Sequence, residues 1–437
     1  MKKKLIGAIL CAAMAVSMAV PAAAEEAATT DFAGEELSIL VSAGWMDNRY
    51  DATIARFEET YDVTVDVQTI PADQYNDLLQ TRLATDSCSD IFWIQSSPFA
   101  IASQIVDPEK YCIDFTGEDW VDVMPESRQT ACVYEDKVYG LQIWHNSPEY
   151  VMVYNKTLFE ELGIEVPTTY EELKAVCETI AAEGITPWFM PGADGWQHQL
   201  AFFQIGGVYE AAQPGLYEAL NNNEATFAGN ETMLLVLEQF KELADLGYFG
   251  EDWIGTDSTN MVNEFADRTC AMALANSSFI KQIQNETGTT DEFGMFLEPL
   301  ADNTWYPTNS SGPTMFGYAG TEHPELVKEF FRFVCTTESL QEILDNSPSY
   351  TNLDVTDENV EQHWLPEEEE FMASITDEQK QYTVLQIGTK YTNDYWTQFG
   401  QDMVAYCTGQ MEADEVLANM DANRATAAEV AGDPAWQ

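Results

Sequence analysis

Apolar positions along the chain fall into two registers that alternate. Leu37-Ser38-Ile39-Leu40-Val41 has the composition of a strand, a small-residue turn follows at Ser42-Ala43-Gly44, and then Ile54, Phe57 and Tyr61 recur at helical spacing. Val63 to Val67 alternates with period two, Tyr75, Leu78, Leu79 and Leu83 mark a second helix, and Asp90-Ile91-Phe92 a third short strand. Strands separated by helices predict a parallel sheet covered on both faces.

The same alternation restarts near residue 150. Tyr150 to Tyr154 reads as a strand, Asn155 as the cap of a short helix through Phe159, and Gly163 as its stop. Thr169 and Glu172 form a capping box, Leu173, Val176, Cys177 and Ile180 lie on one helical face, and Gly184 ends it. Cys270 to Ala275 and Gly312 to Ala319 are strand-like stretches flanked by small and polar residues, which suits places where a chain passes between lobes. The acidic run Glu367 to Glu370 reads as a solvated helix start. The fold class expected is α/β, in two lobes.

Length allows this, because 437 residues can bury two cores. Charge narrows the partners. With 19 Lys and Arg against 74 Asp and Glu, a formal −55, the surface repels phosphate backbones and anionic lipid, so nucleic acid is excluded as a partner. A hydrophobic content of 45% is too high for a disordered acidic chain.

Lys2-Lys3-Lys4, the apolar stretch Leu5 to Val20 and Pro21-Ala22-Ala23-Ala24 have the three parts of an export signal, so residues 1–24 are expected to be removed and 25–36 to form a flexible leader. Cleavage leaves 16 of the 19 basic side chains against all 74 acidic ones. Cys11 follows Ala8-Ile9-Leu10, which lacks the small residues of a lipid-attachment site, and anchoring of the exported protein stays open. The other seven cysteines are widely spaced and make no disulfide framework, although one bridge such as Cys112 to Cys132 is conceivable. The four His are scattered and no CxxC or HExxH occurs, so neither a metal nor a cofactor is expected.

Candidate chemistry rests on tryptophan. Trp45, Trp93, Trp144, Trp188 and Trp196 all lie just after predicted strands or in the loops that follow them, where ligands of open α/β sheets bind. An indole face accepts the C–H-rich face of a pyranose, and neighbouring Asp, Asn and Gln accept from its hydroxyls. Among so many carboxylates Asp47, Asp194 and Asp394 carry little weight as a catalytic pair, and no phosphate loop or nucleophile elbow is present.

Val153-Tyr154-Asn155-Lys156-Thr157-Leu158-Phe159-Glu160-Glu161-Leu162-Gly163, followed by Pro167-Thr168-Thr169-Tyr170-Glu171-Glu172-Leu173, resembles the signature of extracellular solute-binding proteins of ABC sugar importers, family 1, the class typified by maltose-binding protein. The likeness extends to Gln74-Tyr75, Ser89 to Trp93, Val138 to Leu141, Glu415-Val416-Leu417 and Gly432 to Trp436.

The resemblance implies a two-lobed periplasmic-binding-protein-like fold of type II, with hinge crossovers and ligand in the interlobe cleft. It places crossings near Leu141 to Asn146, Leu274 to Asn276 and Gly312 to Tyr318, so that 37–143 and 277–311 form lobe 1 and 144–276 and 312–437 lobe 2. It also implies a binding site in which Trp93, Trp196, Phe279 and Trp396 stack on a sugar. Trp45, Asp47, Ser96, Trp144, Asp194 and Asn276 would complete it.

The function expected is capture of a neutral mono- or oligosaccharide by an extracellular or periplasmic, monomeric binding protein that has no enzymatic activity and delivers to ABC permease subunits at the membrane. Two alternatives stand beside it: the same fold holding a cationic polyamine or osmolyte, and a secreted glycosidase.

Overall fold

The computed structural model describes residues 32–437 apart from 106, 146–147, 149, 194, 348–349 and 376–380. The export signal and most of the leader, Cys11 included, lie outside the described residues, as does Asp194; the rest of the expected leader, 32–36, is instead folded, with Phe32 packed on Tyr61 in the first core and Glu36 opening the first strand.

Two mixed sheets, each with its own core, organise the chain. The first has strand order β2 (Thr64–Ile70), β1 (Glu36–Ser42), β3 (Ile91–Ser96), β12 (Gly312–Gly317), β6 (Gly140–Leu141). The second has order β10 (Phe293–Phe296), β7 (Val151–Asn155), β9 (Cys270–Ala275), β8 (Thr186–Trp188). Two small ribbons complete the set, β4 (Val133–Tyr134) with β5 (Lys137–Val138), and β11 (Tyr306–Thr308) with β13 (Gln381–Thr383).

Alternation along the strands puts apolar side chains on both faces of each sheet. In β1 and β3, Leu37, Ile39, Val41, Ile91 and Trp93 enter one core while Leu40, Phe92 and Ile94 enter another. In β7 and β9, Met152, Tyr154, Met272 and Leu274 face one core of the second lobe, and Val151, Val153, Ala273 and Ala275 the other. Helices cover these faces. The helix Tyr170–Ala182 begins where Thr169 accepts from the Glu172 N–H, and Glu172 in return accepts from the N–H and hydroxyl of Thr168, one residue earlier than a capping box would have it.

Lobe composition differs from expectation in three ways. Residues 277–311 were expected in lobe 1, yet they contribute β10 to the second sheet, antiparallel to β7. Residues after 312 were expected in lobe 2, yet β12 pairs antiparallel with β3 and β6, and Leu326, Phe330, Leu340, Ile343 and Val360 sit in the first lobe's core. The expected crossing at Leu274 to Asn276 is instead the end of β9, a central strand. The chain passes between lobes after Leu141, at 309–311 and at 361–364, after which Leu365 and Phe371 pack in the second lobe. β12, which returns across the second crossing, runs against β3 and β6, and β7 runs against β9 and β10, so neither sheet is wholly parallel.

All seven cysteines from Cys88 to Cys407 are free thiols. Glu367 to Glu370 does start a helix, Pro366–Ser374, but Glu368 within it is fully buried rather than solvated.

Candidate interlobe site

Between the lobes lies a cleft of about 430 Å³ whose walls carry four tryptophans. Trp45, in the loop after β1, and Trp144, on the first crossing, belong to the first lobe's side, and Trp196 and Trp396 to the second's. Each sits on a short irregular segment or helix start: Trp196 opens a 3₁₀ turn, and Trp396 opens the helix Trp396–Cys407. The Trp196 and Trp396 rings meet edge to face at 6.5 Å. Trp196 also faces Tyr150, and its indole N–H donates to the Ser258 hydroxyl at 3.3 Å.

Polar lining comes from side-chain amides. Asn76 and Gln95 project from the first lobe, Asn309 and Ser311 from the second crossing, and Gln199, Gln386 and Asn393 from the second lobe. The carbonyl oxygens Oε1 of Gln199 and Gln386 are buried with no donor from the protein. A buried acceptor without a donor is costly, and a ligand hydroxyl would satisfy each. No Asp, Glu, Lys or Arg lines this cleft among the described residues.

Trp144 is held from several sides. Its carbonyl accepts from the Asp354 N–H at 2.8 Å, its ring meets Tyr350 edge to face at 5.2 Å, and the Arg49 guanidinium lies 4.0 Å from the Tyr350 ring centroid. Gly312 passes directly under the indole, where an added Cβ would stand 3.1 Å from Trp144 Cγ. The adjacent His145 is buried, and burial, then the charges of Arg128 and Arg49, push its pKa down to about 3, so the imidazole beside this wall is neutral at ordinary pH.

The structure brings Trp45, Trp144, Trp196 and Trp396 together and leaves the other described candidates elsewhere. Trp93 is 1% exposed within β3, against Tyr50 in the first core, and the strand reaches the cleft two residues later, at Gln95. Ser96 is buried and donates to the Ala131 carbonyl at 2.5 Å. Phe279 is 3% exposed on the buried face of the helix Ser278–Thr287, edge to face with Phe265. Trp188 is fully buried in β8. Asn276 accepts from the Ser278 hydroxyl at the end of β9.

Asp47 caps a 3₁₀ turn and holds Arg49 in a two-point ion pair, at 2.6 and 2.7 Å. Burial raises its pKa, but the hydrogen bonds and charge of Arg49 outweigh that and leave it below the usual carboxylate value. Its role is to hold Arg49 behind Trp144. The amides Asn76, Gln95, Gln199, Gln386 and Asn393 escaped sequence reasoning, since an amide on a helix or strand carries no local signal of what it faces.

The chain matches the family model of bacterial extracellular solute-binding proteins over residues 42–340. It is 25% identical over 322 residues to the multiple sugar-binding protein of Streptococcus mutans, covering 68% of this chain and 75% of that one. Among solved structures it resembles a sugar transporter from Bacillus licheniformis in complex with stachyose, at a TM-score of 0.70 and 17% identity, covering 90% of this chain and 100% of that one. The solute-binding protein RafE in complex with raffinose aligns at a TM-score of 0.69 and 23% identity, covering 90% of this chain and 99% of RafE.

Proposed function

We propose, from the premise that the chain belongs to the bacterial extracellular solute-binding protein family, that its interlobe cleft captures a neutral mono- or oligosaccharide for an ABC importer. The observation that carries this reading is the cleft lining itself: four tryptophans drawn from both lobes, side-chain amides and, among the described residues, no Asp, Glu, Lys or Arg. In a protein with 74 carboxylates, a cleft for polyamines or betaines would be expected to use some of them. Indole faces and amides instead match the alternating C–H faces and hydroxyls of a sugar.

The glycosidase alternative needs two carboxylates about the scissile bond. Asp47 is engaged by Arg49, and Asp394 adjoins Asn393 without lining the cleft, so neither supplies such a carboxylate there. A ligand that touches tryptophans of both lobes favours the arrangement in which they approach each other, which is how binding would be signalled to a permease. Export before this encounter is supported by the signal-like first 24 residues.

The test is a thermal-shift panel of the mature protein with raffinose, stachyose, simple hexoses, spermidine and betaine, followed by product analysis. A site saturated at 100 times its dissociation constant adds about 2.7 kcal/mol of stability. A shift with a neutral sugar and no turnover supports the proposal. A shift with cations alone, or turnover of the sugar, sinks it.

A further inference from the structure

Two buried polar side chains outside the cleft, an arginine and a glutamate, flank the places where the chain passes between lobes. Arg128, 3% exposed in the first lobe, reaches the first two crossings and the first-lobe segment that precedes the third. Its Nη1 donates to Gln142 Oε1 at 3.1 Å and its Nη2 to the His145 carbonyl at 2.7 Å, both on the first crossing. The same Nη1 donates to the Ser311 carbonyl at 3.4 Å, on the second crossing. Its Nε donates to Asp354 Oδ2 at 2.8 Å, in the segment that leads to the third.

Glu368, fully buried in the second lobe, faces the same segment from the other side. Its Oε1 accepts from the hydroxyls of Ser277 and Thr351, the latter at 2.8 Å, and its Oε2 accepts from the Leu365 N–H at 2.8 Å. Lys281 of the second lobe adds a bond from Nζ to the Tyr350 carbonyl at 3.1 Å. Residues 350–354 are thus held by the second lobe at Tyr350 and Thr351 and by the first lobe at Asp354.

We infer that Arg128 and Glu368 are positioning residues that fix the axis about which the two lobes turn, Arg128 by tying the first two crossings to Asp354 of the first lobe and Glu368 by pinning the second lobe to residue 351. Two lobes with separate cores and three thin connections turn about those connections by default. A rotation leaves short hydrogen bonds intact only where they lie close to its axis, and the bonds that Lys281 and Glu368 of the second lobe make to the first meet at 350–351. Arg128 is suited to the other half of the task, because its planar guanidinium offers donors in several fixed directions that a lysine ammonium does not reproduce. The axis runs beside the cleft, since Trp144 stands between Gln142 and His145 and its carbonyl is bonded by Asp354. The inference therefore rests on the reading of that cleft as the solute site.

Small-angle X-ray scattering of the mature protein without sugar tests it, using Arg128→Met, Arg128→Lys and Glu368→Gln. Arg424→Lys serves as control: Arg424 is fully buried inside the second lobe and bonds the carbonyls of Lys390 and Leu220, so its loss costs stability away from any crossing. The expected result is a larger radius of gyration and a broader distance distribution for Arg128→Met and Glu368→Gln, a partial return with Arg128→Lys, and an unchanged profile for the control. Lowered melting temperatures with scattering identical to wild type would make both residues structural only and overturn the proposal. Should Arg128→Met fail to fold, Arg128→Lys and Glu368→Gln decide between the same two outcomes. Because no sugar is present, failure of every carbohydrate in the thermal-shift panel counts against the cleft reading and leaves this measurement standing.

Discussion

The indoles of Trp196 and Trp396 meet edge to face across the second-lobe wall of the cleft, ring centroids 6.5 Å apart and planes at 85°. An edge-to-face pair leaves one ring presenting its face to whatever the other borders, so the two work as one corner of the site rather than as independent plates. Both rings are only partly buried, and neither fills a core. Trp196→Ala or Trp396→Ala is therefore expected to weaken the sugar identified by thermal shift by about 2 kcal/mol, roughly 30-fold in Kd, while the urea midpoint moves little. Isothermal titration and chemical denaturation on the same samples separate the two effects. A large stability loss with unchanged affinity would return these residues to packing.

Trp93 gives the opposite prediction. Its ring lies against Tyr50 at a centroid distance of 5.9 Å inside the first core. Trp93→Ala is expected to cost about 3–5 kcal/mol of unfolding free energy. In whatever fraction stays folded, affinity for sugar should remain within a few-fold of wild type. A selective loss of affinity with wild-type stability would put Trp93 back in the site.

These two residues show what the sequence could and could not carry. The helix 170–182 was legible because its cap, its apolar face and its stop are all local, and β1, β2 and β3 were legible for the same reason. Lobe membership was not, because it depends on a pairing between Gly312 and Ser96, more than two hundred positions apart, which no window of sequence encodes. Trp45 and Trp93 both follow the rule of an aromatic near a strand end. Trp45 lies beyond its strand and reaches the cleft, while Trp93 lies within one and is taken by the core. Phe279 failed likewise, since the buried face of its helix was set by Phe265 from another element. Arg128 and Glu368 gave no sign at all, their partners being scattered from residue 142 to 365.

Glu298 has both carboxyl oxygens buried without a protein donor, and burial raises its pKa well above the ordinary value of 4.5. The native state keeps the proton that the unfolded chain releases above that value. Its contribution to stability is full below about pH 4.5 and falls as pH rises toward the folded pKa, by about 1.4 kcal/mol per pH unit at most. Glu298→Gln, neutral at every pH, should raise the urea midpoint at about pH 7 and leave it near wild type at about pH 4. A difference that does not change with pH would show that Glu298 does not carry the titration.

His198 titrates in the reverse sense. Its ring is buried beside Phe240, Phe249 and Trp253, neither nitrogen has a partner, and burial lowers its pKa from 6.5 to about 3. Below pH 6.5 the unfolded chain takes up a proton that the native state refuses. Stability attached to this residue is therefore present above the unfolded value and lost as pH falls toward the folded one, at about 1.4 kcal/mol per pH unit. His198→Phe keeps an aromatic ring of similar breadth and removes both unpaired nitrogens, so it should be more stable than wild type at about pH 7 by about 1–3 kcal/mol. Its advantage should then widen on acidification, because wild type alone pays for keeping the imidazole neutral. Parallel urea titrations at about pH 7 and about pH 5 read the change directly. Glu298 and the exposed carboxylates are common to both proteins and cancel in the comparison. A constant gap between the two would mean that the native state admits a proton at His198, which requires water or a shifted ring where the aromatic cage now excludes both.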